Sequence, residues 1–108
     1  MENIVETVRF KLKEGANEAK FLADSEATVS FVTQSAGFLY RSLSVDESSQ
    51  TWTDITYWDS MENAKAAYDD FMNHESARNM ISHIEEESVV MSHETLKMNV
   101  MSDCAQSA

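Results

Sequence analysis

What most constrains this chain is the order in which its hydrophobic period changes. Ile4 to Leu12 alternates, with Ile4, Val8, Phe10 and Leu12 on one face, Glu6 among them, and Thr7, Arg9 and Lys11 on the other. Period two with β-branched residues predicts a strand. Lys13-Glu14-Gly15-Ala16-Asn17 reads as a turn, with Asn17 placed to cap a helix. Helical spacing follows from Glu18 to Gln34, where Phe21, Leu22, Val29 and Val32 make an apolar stripe interrupted by Ser25 and Glu26. Ser35-Ala36-Gly37 ends it, since glycine tolerates the left-handed backbone that a helix terminus often needs.

Phe38–Asp46 and Thr51–Asp59 alternate again, and Glu47-Ser48-Ser49-Gln50 between them makes a hairpin by length and turn chemistry. A two- or four-residue loop pairs Val45 with Trp52, Leu43 with Asp54, Arg41 with Thr56 and Leu39 with Trp58. The opposite face then pairs Tyr40 with Tyr57 and Ser42 with Ile55. Asp59 or Ser60 caps a second helical region carrying Met61, Ala64, Tyr68, Phe71 and Met72. A break at Asn73-His74 leads to a short helix with Ala77, Met80, Ile81 and Ile84 on one side. Past the acidic run Glu85-Glu86-Glu87, Ser88 to Met98 reads as a last strand, and residues 99–108 as a polar tail.

Strand, helix, strand, strand, helix, strand is the split βαβ plus βαβ plan. It predicts an α+β, ferredoxin-like domain over residues 1–98, a four-stranded antiparallel sheet with its helices on one face. The other sheet face is left without a helix. Two copies stacking those faces would close a symmetric α+β barrel, so a homodimer is expected.

Composition narrows the function classes. With 108 residues and no proline, repeat or low-complexity linker, one domain is expected. Lys plus Arg number 8 against 19 Asp plus Glu, a formal charge of −11. A field of that sign repels phosphate backbones and anionic lipid surfaces, which argues against nucleic-acid and membrane partners. No apolar run approaches the roughly 20 residues that span a bilayer. The opening Met1-Glu2-Asn3-Ile4-Val5-Glu6 is acidic where a signal peptide is basic, so the expected location is cytoplasmic. The single cysteine, Cys104, lies in the tail and cannot form an intrachain disulfide. Two glycines leave no phosphate-binding loop, and no Gly-x-Ser-x-Gly is present. The seven methionines suit adaptable packing.

Candidate chemistry gathers on the hairpin. Trp52 and Trp58 project to the same side with Asp54 between them. Two indoles can sandwich a planar ligand while Asp54 takes a phenolic proton as general base. The structural alternative is that the indoles fill a buried sheet face and Asp54 is neutralised locally. Arg41, diagonal to Asp54 in the expected register, supports an ion pair. Tyr40 and Tyr57 pair on the other face. Tyr68 is placed to line a pocket between helix and sheet. Of the three histidines, His74 falls in a helix-start loop and His83 in a last helical turn, where an imidazole suits the dipole. His93, mid-strand, faces the interior and joins Trp52, Trp58, Arg41 and Tyr68 as a candidate ligand contact. None of the histidines stands in His-x-x-x-His spacing, and no metal site is expected. Glu6, on the apolar face of the first strand, can shuttle protons if buried; a place near the strand end in solvent is the expectation.

Trp52-Thr53-Asp54-Ile55-Thr56-Tyr57-Trp58-Asp59-Ser60-Met61-Glu62-Asn63-Ala64 resembles the third strand and following helix of the antibiotic-biosynthesis-monooxygenase-like family. Trp58, Ser60, Glu62 and Ala64 match, and Gly37-Phe38 is similar to that family's entry to the second strand. With the order of elements, the resemblance runs over residues 4 to 98. It implies a dimeric α+β barrel with a pocket between each helical layer and its sheet. Some members oxidise polyphenolic aromatics with O₂ and neither metal nor flavin. Others degrade haem, using an Asn, a Trp and a His at places that correspond here to about Val8, Ala67 and Ile81, none of which matches. A His that many members carry near position 67 is also absent.

The resulting expectation is a cofactor-independent monooxygenase or isomerase-like enzyme, acting on a small aromatic or polyketide-type molecule. The alternative is a dimeric ligand-binding or stress-associated module of the same fold without turnover.

Overall fold

The computed structural model describes residues 2–102. Its strands are β1 (Ile4–Phe10), β2 (Phe38–Asp46), β3 (Thr51–Trp58) and β4 (Val90–Thr95). Its helices are α1 (Glu18–Glu26), α2 (Val29–Thr33), α3 (Met61–Met72) and α4 (Glu75–Ile81). The strands form one antiparallel sheet in the order β2-β3-β1-β4, so the ferredoxin-like plan holds. Among the described residues no helix is long and apolar enough to cross a membrane. Asn99–Ser102 carry no helix or strand, and the rest of the tail, with Cys104, lies outside the described residues.

The hairpin register follows the alternation, pairing Val45 with Trp52, Leu43 with Asp54, Arg41 with Thr56 and Tyr40 with Tyr57. It departs at one place. Trp58 pairs with Phe38 rather than Leu39, because the ladder shifts between Phe38 and Tyr40. A β-bulge leaves one residue unpaired, and Leu39 is accordingly exposed. The loop has four residues. Gln50 takes a left-handed backbone at φ 57°, and its N–H donates to the Asp46 carbonyl over 2.7 Å. Bonds from the hydroxyl and then the backbone N–H of Ser48 hold the Asp46 carboxyl below its ordinary value.

Both expected caps form. Asn17 Oδ1 accepts from the Lys20 N–H at 3.0 Å, and Ser60 Oγ from the Asn63 N–H at 3.1 Å. Gly37 lies just before the bulge at φ 83°. A Cβ there would strike the Asp59 carboxylate and lie within 2.6 Å of Asn63 Nδ2. Glycine is therefore required by backbone and by space together.

The first helical region is two helices rather than one. Ser25 Oγ donates to the Phe21 carbonyl at 2.8 Å and Thr28 Oγ1 to the Ser25 carbonyl at 2.6 Å. Such back-bonding competes with the helical ladder and bends it. The buried stripe runs Phe21, Ser25, Thr28, Val32, whereas Leu22 and Val29, expected in it, are exposed. Ser25 and Thr28 can be buried because their hydroxyls are satisfied locally. The first and last strands are also shorter than expected, β1 ending at Phe10 and β4 running from Val90 to Thr95. Leu12, past the end of β1, forms an isolated bridge with Ile84, and the acidic run becomes a 3-10 turn at Glu86–Ser88 ahead of β4.

Two separate clusters make the core, both on the helix-covered face of the sheet. Ile4, Trp58, Ala64 and Ala67 pack at one end with Phe38 and Met61. At the other, Phe10, Phe21, Trp52 and Met80 pack with Leu43, Val45 and Phe71 among others. The cross-strand pairs Ile4–Trp58 and Phe10–Trp52 anchor the two ends. Each large side chain so buried contributes roughly 1.5–3 kcal/mol. Between the ends, the same face carries Glu6 opposite Thr56 and His93, and Val8 opposite Asp54. This central row is polar, and the core parts around it.

Candidate functional site

The gap between the clusters is a cavity of about 590 Å³, within the range of small-molecule sites. The sheet forms its floor through Glu6, Val8, Asp54, Thr56 and Trp58. Phe31 of α2, Tyr68 and Phe71 of α3, and Met80 and Ile81 of α4 form walls and roof. Phe31 tilts against Phe71 and the His74 ring, at centroid distances of 5.8 and 5.0 Å, and this aromatic contact joins α2 to α3.

Two ionisable pairs stand at the floor. Arg41 grips Asp54 in a two-pronged bond, Nε to Oδ1 at 3.0 Å and Nη2 to Oδ2 at 2.7 Å. Its Nη1 donates to Thr28 Oγ1 at 2.8 Å. The side chains are only 14% and 13% exposed. The diagonal ion pair expected from the register is therefore present, and both Asp54 oxygens already accept charge-assisted bonds. Asp54 faces the cavity as a pillar with little freedom to take a substrate proton.

The second pair is Glu6 with His93. Glu6 Oε2 lies 2.8 Å from His93 Nε2, and Oε1 accepts a longer bond of 3.4 Å from the Trp58 indole N–H. A carboxylate can only accept, so the imidazole proton of this contact sits on Nε2. Strand pairing makes the meeting, since Glu6 and His93 are direct partners across β1 and β4. The Glu6 side chain is 12% exposed and opens onto the cavity, not onto solvent at a strand end as the sequence suggested. A carboxylate backed by an imidazole and facing an apolar space can accept a proton from a bound molecule.

Trp58 and Tyr68 line the cavity. Trp52 shares their side of the sheet but lies in the second core cluster, with its ring edge-on to Phe21 at 5.0 Å, and is not part of the cavity wall. His93 stands behind Glu6. Tyr40 and Tyr57 meet edge-on at 5.4 Å on the opposite face. His74 caps α4, its Nδ1 accepting from the Ser76 N–H at 3.3 Å. His83 falls after the α4 C-cap rather than in its last turn. Its Nε2 lies 2.6 Å from Asp24 Oδ2, tying the turn after α4 to α1. Val8, Ala67 and Ile81, the positions that the resemblance sets against the reactive residues of haem-degrading proteins, all line the cavity, and all are aliphatic here. Among the described residues no group of His, Cys, Asp or Glu is placed to hold a metal ion.

The fold, a four-stranded antiparallel sheet with helices on one face, is shared with solved structures described as antibiotic biosynthesis monooxygenases or oxygenases. A candidate antibiotic biosynthesis monooxygenase from Bordetella bronchiseptica superposes with a TM-score of 0.74 at 19% identity, over 91% of this chain and 100% of that one. SnoaB, a cofactor-independent oxygenase from Streptomyces nogalater, gives 0.65 at 14% identity, over 94% and 97%. A further candidate monooxygenase of this kind, from Caulobacter crescentus, gives 0.73 at 15%, over 90% and 92%. No protein-family model matches the sequence, and no curated protein matches it.

Proposed function

We propose that the chain is a cofactor-independent oxygenase or isomerase-like enzyme that takes a small aromatic or polyketide-type molecule into the cavity and uses Glu6 as the base. The observation that supports this reading most is Glu6 itself, a carboxylate held by His93 and Trp58 at the floor of an otherwise largely apolar space. A methylene or phenol activated by flanking rings gives its proton to Glu6, and the Nε2–H of His93 steadies the carboxylate. Trp58 and Tyr68 orient the ring system. The substrate anion transfers an electron to O₂, and the radical pair joins as a peroxide at a carbon that still bears a hydrogen. Glu6 returns its proton to the peroxide, and loss of water from that carbon leaves a ketone. One oxygen atom ends in the ketone and the other in water. Returning the proton to a different carbon instead makes the reaction an isomerisation.

A second reading is a binding module without turnover. It is favoured by the closure of both ionisable pairs, which leaves neither Asp54 nor Glu6 without a partner. A thermal-shift screen against hydroquinones, anthrones and haemin tests the cavity first. A fitting ligand at about 100 times its Kd raises Tm by roughly 10–20 °C. The shift is expected with the phenolic classes, to shrink in Tyr68→Ala and to persist in the surface variant Lys65→Ala. No shift with any class contradicts a ligand-binding cavity.

We also propose that a second copy covers the free sheet face, where Val5, Tyr40, Ile55, Tyr57 and Val90 lie with no helix above them. Tyr40 and Val90 are 52% and 64% exposed, and clustered apolar exposure of this kind marks an association surface. Sedimentation at micromolar concentration should give a dimer. A monomer there contradicts it.

A further inference from the structure

A second cavity, of about 550 Å³, lies beside the first, between α1, α2 and the edge strand β2. Two residues line both, Val32 and Arg41. Helix α2 straddles the divide. Phe31 faces the main cavity, Val29 and Thr33 face the second, and Val32 lies between. From below, Arg41 reaches up off β2 to Thr28 at the junction of α1 and α2, while its remaining nitrogens hold Asp54. The partition is thus one valine side chain and one guanidinium braced at both ends.

We propose that Val32 and Arg41 form the end wall of the ligand cavity and set the longest ligand it accepts. This inference rests on the ligand-binding reading above and names the class of ligand: a compact aromatic head with a short side chain. The wall is stiff for two reasons. Valine in a helix has one strongly preferred rotamer, so Val32, 7% exposed, does not swing aside. Moving Arg41 breaks four hydrogen bonds, two of them to the Asp54 carboxylate, and a few methylenes entering the second cavity do not compensate for that.

The test measures binding of 2-alkyl-1,4-hydroquinones, methyl to dodecyl, under argon by calorimetry. In the wild-type protein affinity rises about fourfold per methylene and then levels off at a limiting chain length. Val32→Ala joins the cavities, so the limit moves out by several methylenes and the longest members gain at least tenfold. Val32→Ile, a conservative change that keeps the fold, moves the limit inward. Leu22 lines only the second cavity. Leu22→Ala is therefore silent by itself and removes part of the long-chain gain when added to Val32→Ala. An unchanged limit in both Val32 variants overturns the wall. So does weakened long-chain binding in Leu22→Ala alone, which means the cavities already communicate. If the wild-type protein binds no member of the series, the ligand-binding reading falls and this inference with it.

Discussion

Replacing Glu6 by Gln is expected to lower turnover of an anthrone or hydroquinone by about 10²–10⁴-fold, the usual contribution of a positioned general base. Gln keeps the size and one acceptor oxygen of the carboxylate but cannot take a proton. Its carbonyl can still accept from His93 Nε2, so cavity shape and ligand affinity should stay within a few-fold. The signature is a fall in kcat with KM little changed, the pattern of an interaction needed in the transition state rather than for binding. His93→Gln removes the imidazole behind the carboxylate and should cost less, since Glu6 remains to accept the proton. Equal turnover in wild type and Glu6→Gln would remove Glu6 from the chemistry.

The second large effect is on stability. Arg41→Met leaves the Asp54 carboxylate, 13% exposed, without its partner, and takes the donor from Thr28 Oγ1. Breaking a buried pair on one side costs about 3–5 kcal/mol. The residual exposure of both groups to water brings the expectation to the lower end, about 3 kcal/mol. For a domain of this size that lowers Tm by roughly 12–24 °C. The double variant Arg41→Met/Asp54→Leu should recover most of the loss, because apolar replacement of both partners removes the stranded charge. Thermal unfolding of the three proteins decides it. A single variant within about 1 kcal/mol of wild type would mean that the pair does not hold the sheet to the α1–α2 junction.

Much of the fold could be read in the sequence because the chain's periods are clean where the structure is regular. Alternation over Phe38–Trp58 determined all the central pairs of the hairpin, and with them the meeting of Arg41 and Asp54. What the pattern could not show lies where side chains satisfy the backbone locally. Ser25 looked like an interruption of an apolar stripe and Thr28 had no place in it, yet their bonds to preceding carbonyls make them its buried centre. The bulge at Leu39 arises where Gly37 and Asp59 meet, the Asp59 N–H donating to the Gly37 carbonyl at 2.9 Å. No period reports that contact.

The candidate site was partly visible for a related reason. Trp52 and Trp58 were equivalent in sequence, and what separates them is which core cluster each end of β3 enters. Glu6 was seen on the right face. Its pairing with His93, 87 residues further along the chain, needs the register of β1 against β4, and no hairpin turn fixes that register. A signal was nonetheless present. On β1 and β3 the inward positions read large, polar, mixed, large, so the polar centre of the sheet could have been foreseen as a gap between two apolar ends.

The central claim is that the cavity carries out proton removal and oxidation rather than storage. Oxygen uptake by the purified wild-type protein with an anthrone, followed by electrode and by the absorbance of the ketone formed, tests it most directly. Saturable uptake is expected, one O₂ consumed per ketone, at least 10²-fold faster than in buffer with the same concentration of the Glu6→Gln protein. An anthrone that binds and stabilises the protein yet is oxidised no faster than in buffer would contradict it and leave a binding module.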